Sequence, residues 1–308
     1  MRNITNVYEA VGQNKLKSVL VMLFFIAFVT GIVWIFAQFL GFGPWVVGFA
    51  LVISGLMSLG SYWWSDKIVL SLSGARPAQK KKDFRFYTVG ENLSMAAGIP
   101  MPRLYVIDSP APNAFATGRD PNHAAVAATS GLLEKLDRTE LEGVIAHELS
   151  HIRNYDTRLM AIVAILAGMI IMVTDIGFRM SMFGGRDNDR DNRANALFFA
   201  IAIVLAILAP IIAQLIQFAI SRRREFLADA SAVYLTRFPD GLARALAKIA
   251  EDRTPAKFAS NATAHLFIEN PFKADVESKS KSKSNWLVNL FSTHPPVEER
   301  IKALQAMA

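Results

Sequence analysis

Two uncharged apolar runs near the N-terminus constrain the fold of this chain more than any other feature. Residues 18–40 and 45–64 contain no charged side chain, and only residues 41–44 separate them. Because about 20 apolar residues in a helix cross a bilayer core of about 30 Å, each run is long enough to span a membrane. The short connection predicts a hairpin of two spans. A cleaved signal peptide fits less well, since the first run is too long and lacks a small-residue cleavage site.

A second pair of apolar segments lies in the middle of the chain. Residues 159–178 carry one charge, Asp175, and residues 196–220 carry none. We therefore predict four spans in all. The alternative for the later pair is a buried helical hairpin that packs on the first two helices without crossing the membrane. Pro210 and two glutamines suggest that the end of the last segment faces protein or a wet cavity rather than lipid.

Basic residues flank these segments on one side and predict their orientation. The net charge of +7 points to a membrane surface rather than to nucleic acid, because the aromatic interleaving needed for base stacking is lacking. Four spans place all the flanking basic groups on the same side, which the positive-inside rule makes cytoplasmic. The groups are Arg2, Lys15, Lys17, Arg76, Lys80, Lys81, Lys82, Arg85, Arg222, Arg223 and Arg224.

A possible metal site follows in the polar part of the chain. Residues 147–151 read His-Glu-Leu-Ser-His, and on a helix two histidines four residues apart face the same way. They can bind one zinc ion while Glu148 reaches a water on that metal. Apolar residues recur at helical spacing through this segment, and Thr139 with Glu142 predicts a capping box at its start. The alternative is one hydrogen-bonded buried histidine beside a solvated Glu-His pair.

A catalytic zinc ion needs a third protein ligand. The chain has no cysteine, so His, Asp or Glu must supply it. Glu225 and Asp229 lie four residues apart in a segment that also has helical character. Glu225 could bind the metal, while Asp229 could accept a hydrogen bond from a ligand histidine. Alternatively, Glu225 pairs with the preceding arginines and Asp229 caps a neighbouring segment.

Taken together, these motifs resemble the HtpX family of bacterial membrane zinc metallopeptidases, which are related to the CAAX prenyl proteases. The resemblance covers His147–His151 with Asn154, Glu225 with Asp229, residues 113–118 and residues 293–296. It implies a zincin-like (gluzincin) catalytic domain with one zinc ion, bound by His147, His151 and Glu225. Asn154 and Asp229 are expected to support these ligands.

The polar part is predicted to form a discontinuous α+β domain, in a membrane protein with four membrane helices. Its first part covers residues 65–157 and its second part residues 221–308. The N-terminal hairpin, 1–64, precedes it and the second hairpin, 158–220, interrupts it. Strands are predicted at 103–107, 113–117 and 124–128, and the motif helix is expected to run almost directly into the third span.

Two further groups are candidates for contact with substrate. The resemblance suggests that Asn113, Ala114, Phe115, Ala116 and Thr117 form an edge strand to which an extended peptide adds; the alternative is an ordinary protected edge. His294 precedes two prolines and the start of the last helix. It could stabilise an oxyanion in the cleft or simply help to cap that helix.

The sequence therefore predicts a zinc endopeptidase of the bacterial inner membrane with a cytoplasmic active site. Glu148 is the expected general base. The resemblance implies degradation of misfolded or damaged membrane proteins, or of other unfolded polypeptides, under stress. Two alternatives are a CAAX-type peptidase, against which four spans argue, and a non-enzymatic membrane chaperone or scaffold.

Overall fold

The N-terminal hairpin consists of two long helices. The computed structural model describes residues 7–40, 43–166, 168, 222–255, 266–268 and 295–307. Helix α1 covers Val7–Leu40 and helix α2 covers Trp45–Leu72, so both apolar runs are helical and each helix extends beyond its run. Helix α2 bends at Trp64, whose φ and ψ of −116° and 15° depart from helical values.

The hairpin is apolar on its outside and has a row of small polar side chains on a buried side of α2. Large side chains such as Leu23, Phe49 and Trp45 are exposed. Four buried serines lie along one side of α2: Ser54, Ser58, Ser61 and Ser65. Two stretches, Gly12–Gly31 and Trp45–Leu72, are long and apolar enough to cross a membrane. Since soluble proteins rarely expose such large apolar surfaces, the hairpin indicates membrane association.

A small sheet forms the centre of the polar part. Its strands are β1 (Arg76–Pro77), β2 (Arg103–Ile107), β3 (Ala114–Gly118) and β4 (Ala124–Thr129), in the order β1-β2-β4-β3. Strands β2 and β4 run parallel, whereas the β1–β2 and β3–β4 pairs are antiparallel. Helix α3 covers Phe84–Ala97 and α4 covers Ser130–Lys135.

The turn between β3 and β4 requires glycine. Gly118 has a φ of +128°, a conformation that side chains with a Cβ rarely adopt. A Cβ added there would lie 2.4 Å from the carbonyl oxygen of His123. The glycine therefore lets the two strands join tightly.

Helix α5, Arg138–Arg153, carries the histidine motif and begins two residues earlier than the predicted cap implied. Its N-cap is Asp137, whose side chain accepts a hydrogen bond of 2.9 Å from the backbone N–H of Glu140. Glu140 reciprocates by accepting from the backbone of Asp137. The Thr139–Glu142 capping box was wrong, because the same spacing occurs two residues upstream, where Glu140 also binds Lys248.

The motif helix does not run straight into the next helix. Asn154 and Tyr155 form a turn, and Tyr155 has a φ of 59°, in the left-handed region. Helix α6 follows at residues 156–166, and its apolar side chains from Leu159 to Leu166 are buried. The expected near-direct connection is therefore confirmed, with a two-residue turn in which the left-handed residue ends α5 in the way that glycine commonly does. That α6 crosses a membrane stays a prediction.

Three more helices complete the described structure: α7 (Arg222–Thr236), α8 (Pro239–Glu251) and α9 (Val297–Gln305). Helix α5 packs against α3, α7 and α8. Strand alternation divides the core between two faces of the sheet. Val126 faces the cluster that contains the apolar residues of α5, whereas Ala125 and Ala127 face the cluster built from α1, α2 and α6. The sheet thus lies between the motif helix and the membrane hairpin.

This architecture confirms a largely helical α+β protein with a small sheet and two long apolar helices. Residues 167 and 169–221 lie outside the described residues, so the rest of the predicted third span and all of the fourth stay predictions. The division into four segments and the zincin-like class also stay predictions.

Candidate metal centre

Three buried side chains converge between α5 and α7. His147 and His151 project from consecutive turns of α5, and Glu225 comes from the first turn of α7. The two Nε2 atoms are 3.1 Å apart. Glu225 Oε2 lies 3.7 Å from His147 Nε2, and its Oε1 lies 3.5 Å from His151 Nε2. The exposed fraction is 4% or less for all three residues.

These distances and donor types fit a zinc ion. Tetrahedral zinc with bonds of about 2.0–2.1 Å would place its ligand atoms about 3.3 Å apart. The three observed separations lie around this value. Two imidazoles and one carboxylate are also the ligand set found in many catalytic zinc sites, which leave a fourth position for water.

The first histidine is oriented from the C-terminal part of the chain. Asp229 lies one turn after Glu225 on α7, and its Oδ1 is 2.9 Å from His147 Nδ1. Asp229 is held in turn by the guanidinium of Arg300 on α9, through bonds of 2.9 and 2.6 Å. Because the carboxylate occupies Nδ1, Nε2 of His147 is directed to the metal position.

Arg300 was missed by sequence reasoning, although the sequence carries a signal. The buried positions of α9 are Val297, Arg300 and Leu304, so the arginine occupies the apolar stripe of an amphipathic helix. Its side chain is fully buried. A charged residue at a core position needs a charged partner, and here that partner is Asp229.

The second histidine is oriented by a different carboxylate. Asp156, at the start of α6, places its Oδ2 3.0 Å from His151 Nδ1. The predicted supporting residue, Asn154, is buried two residues earlier, and its backbone carbonyl accepts a hydrogen bond from Asn14. Asp156 was missed because its contact depends on the turn after α5, which the helical pattern does not reveal.

The two histidines have opposite electrostatic surroundings. Burial and the nearby charge of Arg300 lower the pKa of His147 to about 4. Burial also acts to lower the pKa of His151, but the hydrogen bond with Asp156 and the charge of Glu225 raise it to about 9. At neutral pH the metal-free site therefore contains one neutral and one protonated imidazole. A metal must displace the proton of His151 in order to bind.

Glu148 lies between the two ligand histidines on α5 and is 3% exposed. Its negative charge is among those that act to raise the pKa of His151, so the carboxylate lies close enough to interact with that imidazole. A buried carboxylate beside a bound metal ion can accept a proton from water.

The predicted substrate strand lies at one end of the described sheet and packs against the motif helix. The carbonyl of Asn113 accepts a bond from Thr129, so antiparallel alternation turns the backbone groups of Ala114, Ala116 and Gly118 outward. Ile268 binds the Ala114 carbonyl, and Thr157 binds that of Gly118.

The side chains of this strand are buried. Phe115 is fully buried and packs edge-on against Phe267, with 4.9 Å between ring centroids. Ala114, Ala116 and Thr117 are likewise buried. The strand can therefore offer a substrate mainly its outward backbone groups at Ala116.

The other three histidines of the chain are His123, His265 and His294. His294 and His265 lie outside the described residues. His123 is on the surface at the end of a 3₁₀ turn, where its Nδ1 is 2.8 Å from Asp120.

Comparisons with known proteins match most of the chain. A family model described as Peptidase family M48 matches residues 80–308. A "Protease HtpX homolog" from Caldanaerobacter subterraneus subsp. tengcongensis is 42% identical over 304 residues, which are 97% of each chain. Another protein of that name, from Dictyoglomus turgidum, is 44% identical over 97% of this chain and 94% of its own.

Among solved structures, that of S. mikatae Ste24p aligns with 96% of this chain and 66% of its own, with a TM-score of 0.49 and 18% identity.

Proposed function

Because the chain belongs to peptidase family M48, and is therefore a metallopeptidase, we propose that it is a zinc endopeptidase acting at the cytoplasmic face of a bacterial inner membrane. The family match and the full-length relatives confirm the resemblance to HtpX proteases that the sequence motifs indicated. They also favour a peptidase over a non-enzymatic scaffold.

One observation carries the choice of zinc. The ligand atoms of His147, His151 and Glu225 lie within 4.8 Å of one another in a buried site. Each histidine also has a carboxylate at its Nδ1, the arrangement that fixes ligand imidazoles at zinc. One zinc ion with these three ligands is the cofactor that we propose.

The chain's own residues then have distinct roles in peptide hydrolysis. When bound, zinc would lower the pKa of a water ligand and polarise the scissile carbonyl. Glu148 accepts the proton of the attacking water and delivers it to the leaving amine. His294, close to the start of α9, is proposed to donate a hydrogen bond to the carbonyl oxygen.

Substrate would bind next to the motif helix in extended form. We assign this role to residues 113–117, with the outward N–H and carbonyl of Ala116 as the pairing groups. The buried side chains of this strand favour recognition of the peptide backbone, which suits a protease that degrades many sequences.

The hairpin supports this location. Its exposed apolar side chains favour a position in a bilayer, and the sheet lies between the hairpin and the helix that carries the proposed metal ligands. The basic residues that flank the spans favour the cytoplasmic side. Substrates would be misfolded or damaged membrane proteins and other unfolded polypeptides. The protein would then act under stress, when such substrates accumulate.

The test uses the full-length protein in detergent with a model membrane protein as substrate. Glu148→Gln should retain zinc and lose proteolysis by about 10²–10⁴-fold, whereas Glu142→Gln, a half-exposed site on the same helix, should remain active. Cleavage by Glu148→Gln at the wild-type rate would remove the role given to Glu148. Wild-type cleavage that persists after chelation would overturn the metal mechanism, and cleavage confined to prenylated peptides would favour the CAAX-type alternative.

The ligand assignment has its own measurement. Glu225→Ala should lower the zinc content of the purified protein, as measured by elemental analysis. An unchanged ratio of zinc to protein would remove Glu225 from the site.

A further inference from the structure

A side chain of the first membrane helix reaches the metal centre. Asn14 lies in α1, four residues before the uncharged run begins, and is 2% exposed. Its Nδ2 donates a hydrogen bond of 2.7 Å to Asp156 Oδ1. The other oxygen of Asp156 lies 3.0 Å from Nδ1 of His151. Asn14 is thus separated from a metal ligand by a single carboxylate.

The amide of Asn14 also connects two segments that carry metal ligands. Its Nδ2 donates to the carbonyl oxygen of Asn154, at the end of the motif helix, over 2.9 Å. Its Oδ1 accepts a bond of 3.1 Å from Arg224, the residue before Glu225. Arg224 is also 3.2 Å from Asp156. One side chain therefore joins the His151 segment to the Glu225 segment.

The position of Asn14 within α1 is consistent with a specific role. Among residues 12–31 of this helix, the buried positions form a narrow stripe of Asn14, Ser18, Val21 and Phe25. Its apolar part packs against the rest of the hairpin and α6, as expected for a helix contact. An amide in such a stripe is costly to bury unless all its hydrogen bonds are made, and here its donor and acceptor atoms are both used.

We propose that Asn14 is a positioning residue of the metal centre: through Asp156 it fixes the imidazole of His151, so that the first membrane helix completes a site whose family domain begins only at residue 80. This inference rests on the proposed zinc site. It makes the geometry of a metal ligand depend on how α1 is seated in the bilayer.

The first test measures zinc affinity by chelator competition on the full-length protein in detergent micelles. Asn14→Ala and Asn14→Leu should each weaken zinc binding by about tenfold, the lower end of the range for outer partners of metal ligands. The leucine variant keeps the branching at Cγ and suits an apolar helix, so it covers the case in which the alanine variant does not fold. Ser18→Ala, the matched control one turn away, removes a buried hydroxyl that donates to the backbone carbonyl of Asn14 within the described part of the chain. This variant should bind zinc as the wild type does.

The second test asks whether Asn14 acts through Asp156. The visible absorption of bound Co(II) reports ligand geometry, and it should change in the same direction for Asn14→Leu and Asp156→Ala. If Asp156 transmits the effect, adding Asn14→Leu to Asp156→Ala should change zinc affinity less than twofold.

The outcomes separate this proposal from the proposed function. Wild-type zinc affinity in the Asn14 variants, or losses that add fully with that of Asp156→Ala, would overturn the role of Asn14 and leave the zinc site intact. If instead Glu225→Ala binds zinc as tightly as the wild type, the metal centre itself is wrongly assigned.

Discussion

The two ligand histidines lie one turn apart on the same helix, yet they are supported from opposite parts of the molecule. His147 is held by Asp229 and Arg300, both from the C-terminal part of the chain. His151 is held by Asp156, which is bound in turn by Asn14 of the first membrane helix. One ligand is thus fixed within the peptidase body, and the other is fixed at its junction with the membrane hairpin.

This difference in support is also a difference in charge. Arg300 neutralises Asp229 and helps to keep the pKa of His147 low, so this imidazole is neutral before metal binds. Asp156 and Glu225 raise the pKa of His151, so the second imidazole keeps its proton until metal displaces it. His147 can therefore bind a metal ion without losing a proton, whereas His151 must first lose one.

The largest effect is expected from removal of Arg300. Arg300→Met leaves the carboxylate of Asp229 buried without its charged partner, and this should lower the free energy of unfolding by about 3–5 kcal/mol. Urea unfolding of the metal-free protein in detergent measures it. The double variant Arg300→Met with Asp229→Leu should recover much of the loss, because no unpaired charge remains.

A matched control for this change is Lys302→Met, which removes an exposed charge from the same helix. It should change stability by about 0.5 kcal/mol or less. Equal losses in the two variants would mean that Arg300 contributes no more than a surface charge.

Next in size are the two carboxylates that orient the histidines. Asp229→Asn and Asp156→Asn should each weaken zinc binding by about 10–100-fold, because each replaces the charged acceptor of a histidine Nδ1–H with a neutral amide that can also turn a donor towards the ring. Competition with a chelator gives both values. Asp120→Asn is the control, since it breaks an Asp–His contact at His123, away from the metal centre. A loss for only one of the two site variants would show that the two supports are unequal.

Because the two pKa values shift in opposite directions, the stability of the metal-free protein should decrease at both acidic and alkaline pH. We call these two parts of the pH profile the acidic limb and the alkaline limb. His147 has a folded pKa of about 4, below its ordinary 6.5, so its contribution falls as the pH drops from about 6.5 towards 4. His151 has a folded pKa of about 9, so its contribution is complete below about pH 6.5 and is lost as the pH rises through 9. Melting temperatures from pH 4 to 10 measure both limbs.

Asp156→Asn serves as the check on that assignment. It should flatten the alkaline limb and leave the acidic limb in place, because it removes a negative charge that raises the pKa of His151 and does not act on His147. An unchanged alkaline limb would assign it to another group.

The smallest effect is expected at the N-terminus of α5, the helix that carries both histidines. Asp137→Ala removes the cap of α5 and should cost about 1 kcal/mol of stability, with zinc affinity unchanged. Thr139→Ala, at the position that the sequence predicted as the cap, should cost less. If Thr139→Ala lowers the melting temperature more than Asp137→Ala does, Thr139 is the cap, as the sequence predicted.

The site residues that the sequence predicted lie in short motifs with a regular helical spacing. The spacing of His147 and His151 is a helical repeat, and Glu225 with Asp229 repeats it on a second helix. Asp156, Arg300 and Asn14 act through contacts between residues far apart in the chain or across a turn. No spacing rule reveals such contacts, although a charge in the apolar stripe of α9 marks Arg300.

The fold shows the same division. Helices and strands were predictable where apolar residues follow a period of 3.6 or 2, as in the body of α5 and in β2. The start of α5 was misplaced because two overlapping segments both satisfy the capping-box spacing. The end of α5 depends on the left-handed conformation of Tyr155, a residue type that rarely adopts it, so composition gives no hint of the turn.

The dispersal of the metal centre along the chain also bears on synthesis. Asn14 is translated first, the two histidines follow near the middle, and Glu225, Asp229 and Arg300 come last. A ribosome that has reached residue 220 has made both histidines without the third ligand or the support of His147. The complete centre can consequently assemble only after the chain has been translated as far as Arg300.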